Sequence, residues 1–151
     1  MSDLIIRPAS EADVPVMAAL REQSGWQGGG TAERTRLYLR GEHHPQCANP
    51  ERVAFLASTT DQCVGFIAGH LTTRLDCEGE LQWVLVAPHA RGGPTATLLW
   101  ENLRQWFVTQ SARRICVNVE PENMPARWFY KRMGAVEASP HWMIWCDVTR
   151  L

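Results

Sequence analysis

A glycine-containing turn connects a strand-like segment to a helix-like one and has the composition of an anion-binding site. The turn spans residues 86–96 and contains Gly92 and Gly93. Small residues let backbone N–H groups approach an anion, and the N-terminus of the next helix adds the positive end of its dipole. These features outline a pyrophosphate site. They equally fit a simple strand-to-helix turn with Pro94 in the first helical turn.

Two other kinds of site find less support. The turn lacks the glycine spacing of a dinucleotide-binding fingerprint, and no Lys-Ser or Lys-Thr pair follows it as in a Walker loop. His43, His44 and Cys47 lie close together, but no second pair of ligands stands at the spacing of a zinc site. We therefore predict an exposed loop at these three residues and no metal.

The apolar pattern predicts the strands and helices that must position the turn. Strands are expected at residues 4–7, 52–58, 63–71, 80–86, 114–119 and 141–148. A first helix opens at a capping box formed by Ser10 and Asp13, and a second covers residues 32–40 with Leu37 on its inner side. A third helix covers residues 95–108, with Leu98, Leu99, Leu103, Trp106 and Phe107 on one face. The fourth begins near Pro125 and ends at Gly134.

These elements follow one another as βααβββαβαβ, and the strand–helix–strand order in the second half implies a crossover. No repeat or linker divides the chain of 151 residues, so we predict a single mixed α/β domain over residues 1–151. With 45% hydrophobic residues, 21% charged residues and a net charge of -1, neither a membrane span nor a nucleic-acid surface is expected. Five scattered cysteines and the absence of a signal-like start indicate reduced thiols in the cytoplasm.

The turn resembles one signature of the GNAT superfamily of acetyl-coenzyme A-dependent N-acetyltransferases. In the family pattern R/Q-x-x-G-x-G/A, Arg91 fills the first position and Ala96 the last, while Val86 and Pro88 match the V-x-P that precedes it. Pro94 departs from the pattern because it stands where the family usually has glycine, and proline has no N–H to offer a phosphate. The loss of one donor is worth about 1–3 kcal/mol.

A second segment, residues 123–134, matches the family pattern N-x-x-A-x-x-F-Y-x-x-x-G at every fixed position. In the family the asparagine contacts the pantetheine arm and the tyrosine acts as general acid near the coenzyme sulfur, so the resemblance implies these roles for Asn123 and Tyr130. A phenol with a pKa of about 10 can protonate a thiolate whose conjugate acid has a pKa of about 8.5 if the site assists. The alternative is that Tyr130 merely packs beside Phe129.

The resemblance also implies a general base, because an ammonium group cannot attack a thioester. Glu80 begins the strand from which several family members present a glutamate, and Glu78 is the second candidate. The alternative is that Glu80 is a solvated carboxylate at a strand end. The same strand should splay from residues 116–119, so that backbone amides around Leu85 can hold the thioester oxygen.

The expected fold is therefore α/β (α+β) and GNAT-like, with a mixed central sheet, splayed strands and flanking helices. The expected coenzyme contacts are Leu85, Val86, Arg91, Gly92, Gly93, Thr95, Ala96, Thr97 and Asn123. Three tryptophans, Trp26, Trp83 and Trp142, could line the acceptor site, although ordinary core packing is the favoured interpretation of Trp83 and Trp142. The resemblance is strongest over residues 80–135 and weak over residues 24–50.

The expected reaction is direct transfer of an acetyl group from acetyl-coenzyme A to a primary amine of a small molecule in a ternary complex. Cys116 and Cys146 lie in apolar segments and are interpreted as structural. The rival hypothesis is a non-catalytic acyl-coenzyme A-binding or sensor module, for which Pro94 is the best argument. A third is a fold that neither binds coenzyme nor reacts. Edge strands near residues 141–148 could pair two subunits.

Overall fold

A seven-stranded sheet forms the centre of the computed structural model, which describes residues 3–24 and 30–151. The strands are β1 (Ile5–Pro8), β2 (Ala48–Ser58), β3 (Cys63–Thr72), β4 (Gly79–Val86), β5 (Ile115–Asn118), β6 (Val136–Ser139) and β7 (Trp142–Trp145). The helices are α1 (Val14–Gln23), α2 (Thr31–Arg40), α3 (Thr95–Thr109) and α4 (Met124–Arg132). The strand order across the sheet is β1-β2-β3-β4-β5-β7-β6.

The sheet is mixed, as the sequence predicts. Strands β4 and β5 are parallel and are joined through α3, whereas every other neighbouring pair is antiparallel. A parallel pair needs such a crossover because the chain must return to the end at which it started. Helices α1 and α2 pack on one face of the sheet, while α3 packs on the other.

Helix α3 lies close to the sheet because glycines face it. A Cβ atom on Gly69 would stand 2.9 Å from Cδ1 of Leu103, and one on Gly79 would stand 2.7 Å from Cδ1 of Phe107. Leu99, Leu103 and Phe107 fill this layer and are fully buried. Leu98 was expected on the same face, but it is 39% exposed, because its position around the helix axis directs it away from the sheet.

Helix α2 presents a different face to the sheet from the one predicted. Thr31, Thr35 and Tyr38 are buried, whereas Leu37 is only partly buried. Positions i, i+4 and i+7 share one face of a helix, and the start at Thr31 directs this set inward. The prediction that Leu37 forms the inner side was therefore wrong, and a tyrosine hydroxyl enters the core in its place.

The ends of the first and last helices follow their predicted signals. The Ser10 N–H donates to the Asp13 carboxylate at 2.8 Å, and a short 3₁₀ turn over Glu11–Asp13 leads into α1. Gly134 has a φ of 106° and its N–H donates to the Lys131 carbonyl at 3.0 Å, which ends α4. No helix among the described residues is long and apolar enough to cross a membrane.

The C-terminal strands differ most from prediction. Strand β6 was not predicted, and the final strand is shorter than the expected residues 141–148. Strand β7 lies between β5 and β6, so it is not an edge strand as was expected; β6 and β1 form the two edges. Cys116 is buried as predicted, but Cys146 lies beyond the end of β7 and is exposed, so its expected place in a strand was wrong.

Candidate active site

Strands β4 and β5 separate in the middle of the sheet. Their pairing covers three residue pairs and ends at Leu81 and Val117, whereas β4 continues alongside β3 as far as Val86. A register shift between Ala68 and Gly69 leaves Gln82 as an extra residue in β4. Among the described residues, no strand pairs with residues 82–86 on the β5 side. The splay implied by the family resemblance is therefore present.

The turn after β4 offers a group of unpaired backbone donors. The N–H groups of Gly92, Gly93, Thr95, Ala96 and Thr97 donate to no acceptor among the described residues. Gly92 adopts a φ of 84°, which a residue with a side chain rarely tolerates. Pro94 directly precedes α3, and its carbonyl accepts the Leu98 N–H at 3.0 Å. Proline in place of the family's glycine at position 94 therefore removes one N–H donor, and five donors remain at the positive end of the α3 dipole.

A groove of about 240 Å³ lies between this turn and α4. Val86, Arg91, the two glycines, Ala96 and Thr97 line it from one side, while Phe129 and Arg132 line it from the other. The two segments that resemble family signatures therefore form two walls of one groove. Pro94 instead lines a larger pocket, of about 450 Å³, which shares only part of the turn with the groove.

Arginines supply positive charge to both walls of the groove. The Arg91 Nε donates to the Val86 carbonyl at 3.1 Å, and the Arg132 guanidinium lies 6.0 Å from the centre of the Phe129 ring. Arg132 was not among the predicted coenzyme contacts. Its position three residues after Phe129 on one helix was the available signal, since residues i and i+3 share a face.

Tyr130 is buried in the core between α4 and β7. It is 5% exposed and packs edge-on against Phe129 and Trp145, with ring centres 5.7 Å apart in each case. Burial raises the pKa of Tyr130 well above its usual range, so the phenol keeps its proton. No described residue forms a hydrogen bond with its hydroxyl. The residue thus packs beside Phe129 and holds its proton more tightly than a free phenol does, so donation to a thiolate would need help from the bound substrate, and its role as general acid stays a prediction.

Asn123 caps the N-terminus of α4. Its Oδ1 accepts the Ala126 N–H at 3.3 Å, and the residue is exposed. This bond uses the carbonyl end of the side-chain amide and leaves the NH₂ group without a partner among the described residues. Asn123 therefore has a structural role as a helix cap that was not predicted, and its contact with a coenzyme stays a prediction.

Glu80 is not a solvated carboxylate at a strand end. It is 5% exposed, and its Oε1 lies 3.2 Å from the Arg74 Nε and 3.7 Å from the His70 Nε2. Its Oε2 has no partner among the described residues. Glu78, the second candidate base, is exposed, and its Oε1 accepts the Arg113 N–H at 2.9 Å.

Two of the three candidate acceptor-site tryptophans stack with arginines. The Arg21 guanidinium lies 4.1 Å from the centre of the Trp83 ring, and the Arg74 guanidinium lies 4.7 Å from the centre of the Trp142 ring. Both tryptophans are half-buried. Trp26 lies outside the described residues. Arg74 thus contacts both Glu80 and the Trp142 ring.

Glu80 and Tyr130 approach the sheet from opposite faces. Tyr130 belongs to the core cluster that also contains Leu81, Leu103 and Phe107. Since side chains alternate along a strand, Glu80 faces the α1–α2 side. Its neighbours across the sheet are His70 on β3 and Cys116 on β5. Burial raises the pKa of Cys116 far above its usual range, so this thiol is not a nucleophile.

Solved structures share this fold. The chain is similar to the PaiA N-acetyltransferase of Thermoplasma acidophilum in complex with coenzyme A, with 14% identity, 94% of this chain and 98% of that chain covered, and a TM-score of 0.73. It is also similar to the aminoglycoside N-acetyltransferase AAC(6')-Iy in complex with CoA, with 18% identity, coverage of 92% and 91%, and a TM-score of 0.76. A third is the NatC complex bound to Gag peptide and CoA, with 15% identity, coverage of 94% and 97%, and a TM-score of 0.75.

Sequence comparison identifies the family. No curated protein matches the chain. The profile of the acetyltransferase (GNAT) family matches residues 19–135, which include α2 to α4, the splay and both signature segments. This match covers most of the chain and agrees with the shared fold. The chain therefore belongs to the acetyltransferase (GNAT) family.

Proposed function

We propose that this protein transfers the acetyl group of acetyl-coenzyme A to a primary amine of a small molecule, within a ternary complex. The arrangement along β4 supports the proposal. The strand has a buried carboxylate at its start, Glu80, a stretch over residues 82–86 that is unpaired on its β5 side, and the donor-rich turn after its end. From Glu80 to Val86 a strand advances ~20 Å. Strand β4 therefore carries a proton acceptor and backbone groups that are unpaired on the β5 side, and it ends at the proposed anion site.

The turn and groove fit the coenzyme. Phosphate groups would accept from the five unpaired N–H groups, and Arg91 and Arg132 would offset their charge. The β5 side of the backbone around Leu85 and Val86, where no strand pairs, would hold the pantetheine arm and the thioester oxygen, with Asn123 offering its NH₂ group from α4. Acetyl-coenzyme A supplies the activated acyl group, and the chain supplies binding, orientation and proton transfer.

Glu80 is the proposed base. Arg74 and His70 both face its Oε1, which leaves Oε2 to take a proton from the amine directly or through a water molecule. The amine nitrogen forms the new bond to the acyl carbon, and the bond from that carbon to sulfur breaks. Tyr130 gives its proton to the departing thiolate. No covalent acyl-enzyme is needed.

Replacing Tyr130 with phenylalanine is expected to lower kcat by about 10- to 100-fold and to leave the KM for acetyl-coenzyme A nearly unchanged. The phenyl ring can still pack against Phe129 and Trp145, so the change removes only the proton donor. Steady-state kinetics would measure both constants, and thermal unfolding would verify that the packing survives. Full activity of the variant would show that Tyr130 only packs.

Replacing Arg132 with glutamine is expected to raise the Kd for acetyl-coenzyme A about tenfold, with a small effect on kcat. A charged hydrogen bond is worth about 1.5–3 kcal/mol, and the exposed position reduces that value. Calorimetry would measure the affinity. Lys131→Gln is the matched control, because Lys131 precedes Arg132 on α4 but does not line the groove. Equal losses in the two variants would contradict the assignment.

A panel of amines would test the function as a whole. The structural neighbours include an aminoglycoside acetyltransferase and a complex bound to a peptide, so the panel should hold aminoglycosides, polyamines, amino acids and peptides. Release of free coenzyme A thiol with a small amine would support the proposal, whereas release with peptides alone would overturn the substrate class. Calorimetric binding of acetyl-coenzyme A without thiol release from any amine would favour the non-catalytic module.

A further inference from the structure

A row of buried polar side chains connects α2 to the proposed base. His70 lies on β3 directly opposite Glu80 on β4 and is fully buried. The Tyr38 hydroxyl of α2 lies 2.9 Å from the His70 Nδ1. On the other side of the ring, Nε2 lies 3.7 Å from the Glu80 Oε1 and has no hydrogen-bond partner. A buried imidazole nitrogen without a partner is costly, so its position calls for a functional explanation.

The surroundings of His70 determine which ring nitrogen carries the proton. Burial raises the pKa of Tyr38 far above its usual range, so its hydroxyl keeps the proton that it can donate. With a proton on Nδ1, the lone pair of Nε2 would face the carboxylate of Glu80, which is repulsive. Donation from Tyr38 to Nδ1 instead places the ring proton on Nε2, directed at Oε1.

We propose that His70 is a positioning residue that orients the Glu80 carboxylate for the acceptor amine, an inference that rests on the proposed role of Glu80. His70 and Arg74 approach the same oxygen, Oε1, from two sides. The Arg74 Nε donates to Oε1 at 3.2 Å, and a proton on the His70 Nε2, 3.7 Å away, would attract the same oxygen, which leaves Oε2 as the oxygen that accepts the amine proton. Tyr38 acts through His70, and the Arg52 guanidinium, 4.8 Å from the centre of the Tyr38 ring, helps to hold that ring.

Nitrogen NMR of the ¹⁵N-labelled wild-type protein tests the tautomer without any need for activity. The expected result is a neutral His70 ring with the proton on Nε2 and a hydrogen-bonded, unprotonated Nδ1, with the signals assigned by their loss in His70→Asn. Tyr38→Phe should leave the proton on Nε2 and shift the Nδ1 signal, because the bond from the hydroxyl is lost. A proton on Nδ1 in the wild-type protein would overturn the inference.

Kinetics test the positioning role. His70→Asn cannot reach Glu80 and is expected to lower kcat about tenfold with an unchanged KM for acetyl-coenzyme A. His70→Gln places an amide donor near the position of Nε2 and should stay within about threefold of the wild-type kcat. Equal losses in the two variants, or none in His70→Asn, would overturn the inference. His43→Asn, at an exposed histidine, is the matched control.

Further measurements distinguish a failure of this inference from a failure of the proposed function. In a Glu80→Gln background, His70→Asn should cause no additional loss of kcat, since there is no longer a base to orient; losses that multiply would overturn the inference. A wild-type protein that releases no coenzyme A with any amine would refute the proposed function, while the tautomer of His70 would still be measurable. If the His70 variants fail to fold, Tyr38→Phe should lower kcat about threefold. A wild-type kcat in that variant would contradict the proposed positioning of Glu80 through His70.

Discussion

Replacing Glu80 with glutamine is expected to lower kcat by about a hundredfold or more, with little change in the affinity for acetyl-coenzyme A. The amide keeps the volume of the side chain and can still accept the Arg74 Nε at its oxygen, but it cannot take a proton from the amine. Catalysis by a positioned base contributes roughly 10²–10⁴-fold to a rate. Steady-state kinetics with the best amine of the panel would measure kcat, and calorimetry would measure coenzyme affinity.

Glu78→Gln separates the two candidate bases. The Glu78 carboxylate holds the Arg113 N–H at the surface, two residues before Glu80, so this variant is expected to keep a kcat within about twofold of the wild type. A large loss in Glu78→Gln, with little in Glu80→Gln, would move the base to Glu78. Little loss in either variant would point to a base or water chain elsewhere.

Replacing Phe107 with alanine is expected to reduce the free energy of unfolding by about 3–5 kcal/mol. The ring is fully buried on α3 and fills the space above the glycines of the sheet, where a Cβ atom on Gly69 would stand 3.1 Å from its Cζ. Neighbouring side chains cannot easily fill the resulting cavity, because the backbone of α3 already lies close to the strands. Urea-induced unfolding followed by circular dichroism would measure the change.

Leu98→Ala is the matched control for this prediction. Leu98 lies on the same helix and is 39% exposed, so its truncation is expected to cost less than about 1 kcal/mol. Similar losses in the two variants would show that the destabilisation comes from helix propensity or from general fraying of α3. A loss below about 1 kcal/mol in Phe107→Ala would contradict the assigned core.

Local signals predicted much of the fold. Strand β3 was expected at residues 63–71 and is found at Cys63–Thr72, while α3 was expected at residues 95–108 and is found at Thr95–Thr109. Apolar periodicity and end signals are properties of adjacent residues, so they can be read directly from the chain. Strand β6 was not predicted because it is only four residues long and all four of its residues are exposed. It is a strand because β7 pairs with it.

Only part of the candidate site could likewise be predicted from the sequence. The turn and the segment of residues 123–134 were selected because their residues are close in sequence, and the groove between them contains many of the expected positions. His70, Arg74 and Arg132 were not selected. His70 reads as one more residue of an apolar strand, and its partners Tyr38 and Glu80 come from a helix and another strand.

By itself, the sequence of this protein determined the mixed α/β class, the position of the glycine-containing turn and the resemblance that leads to the GNAT family. Only the tertiary structure decided that β4 leaves β5 after Leu81, that Tyr38 faces the core in place of Leu37, and that Glu80 is buried against Arg74 and His70. The physical reason is that turn chemistry and periodicity depend on neighbouring residues. Burial, strand register and the partners of a charge depend on segments that meet only when the chain has folded.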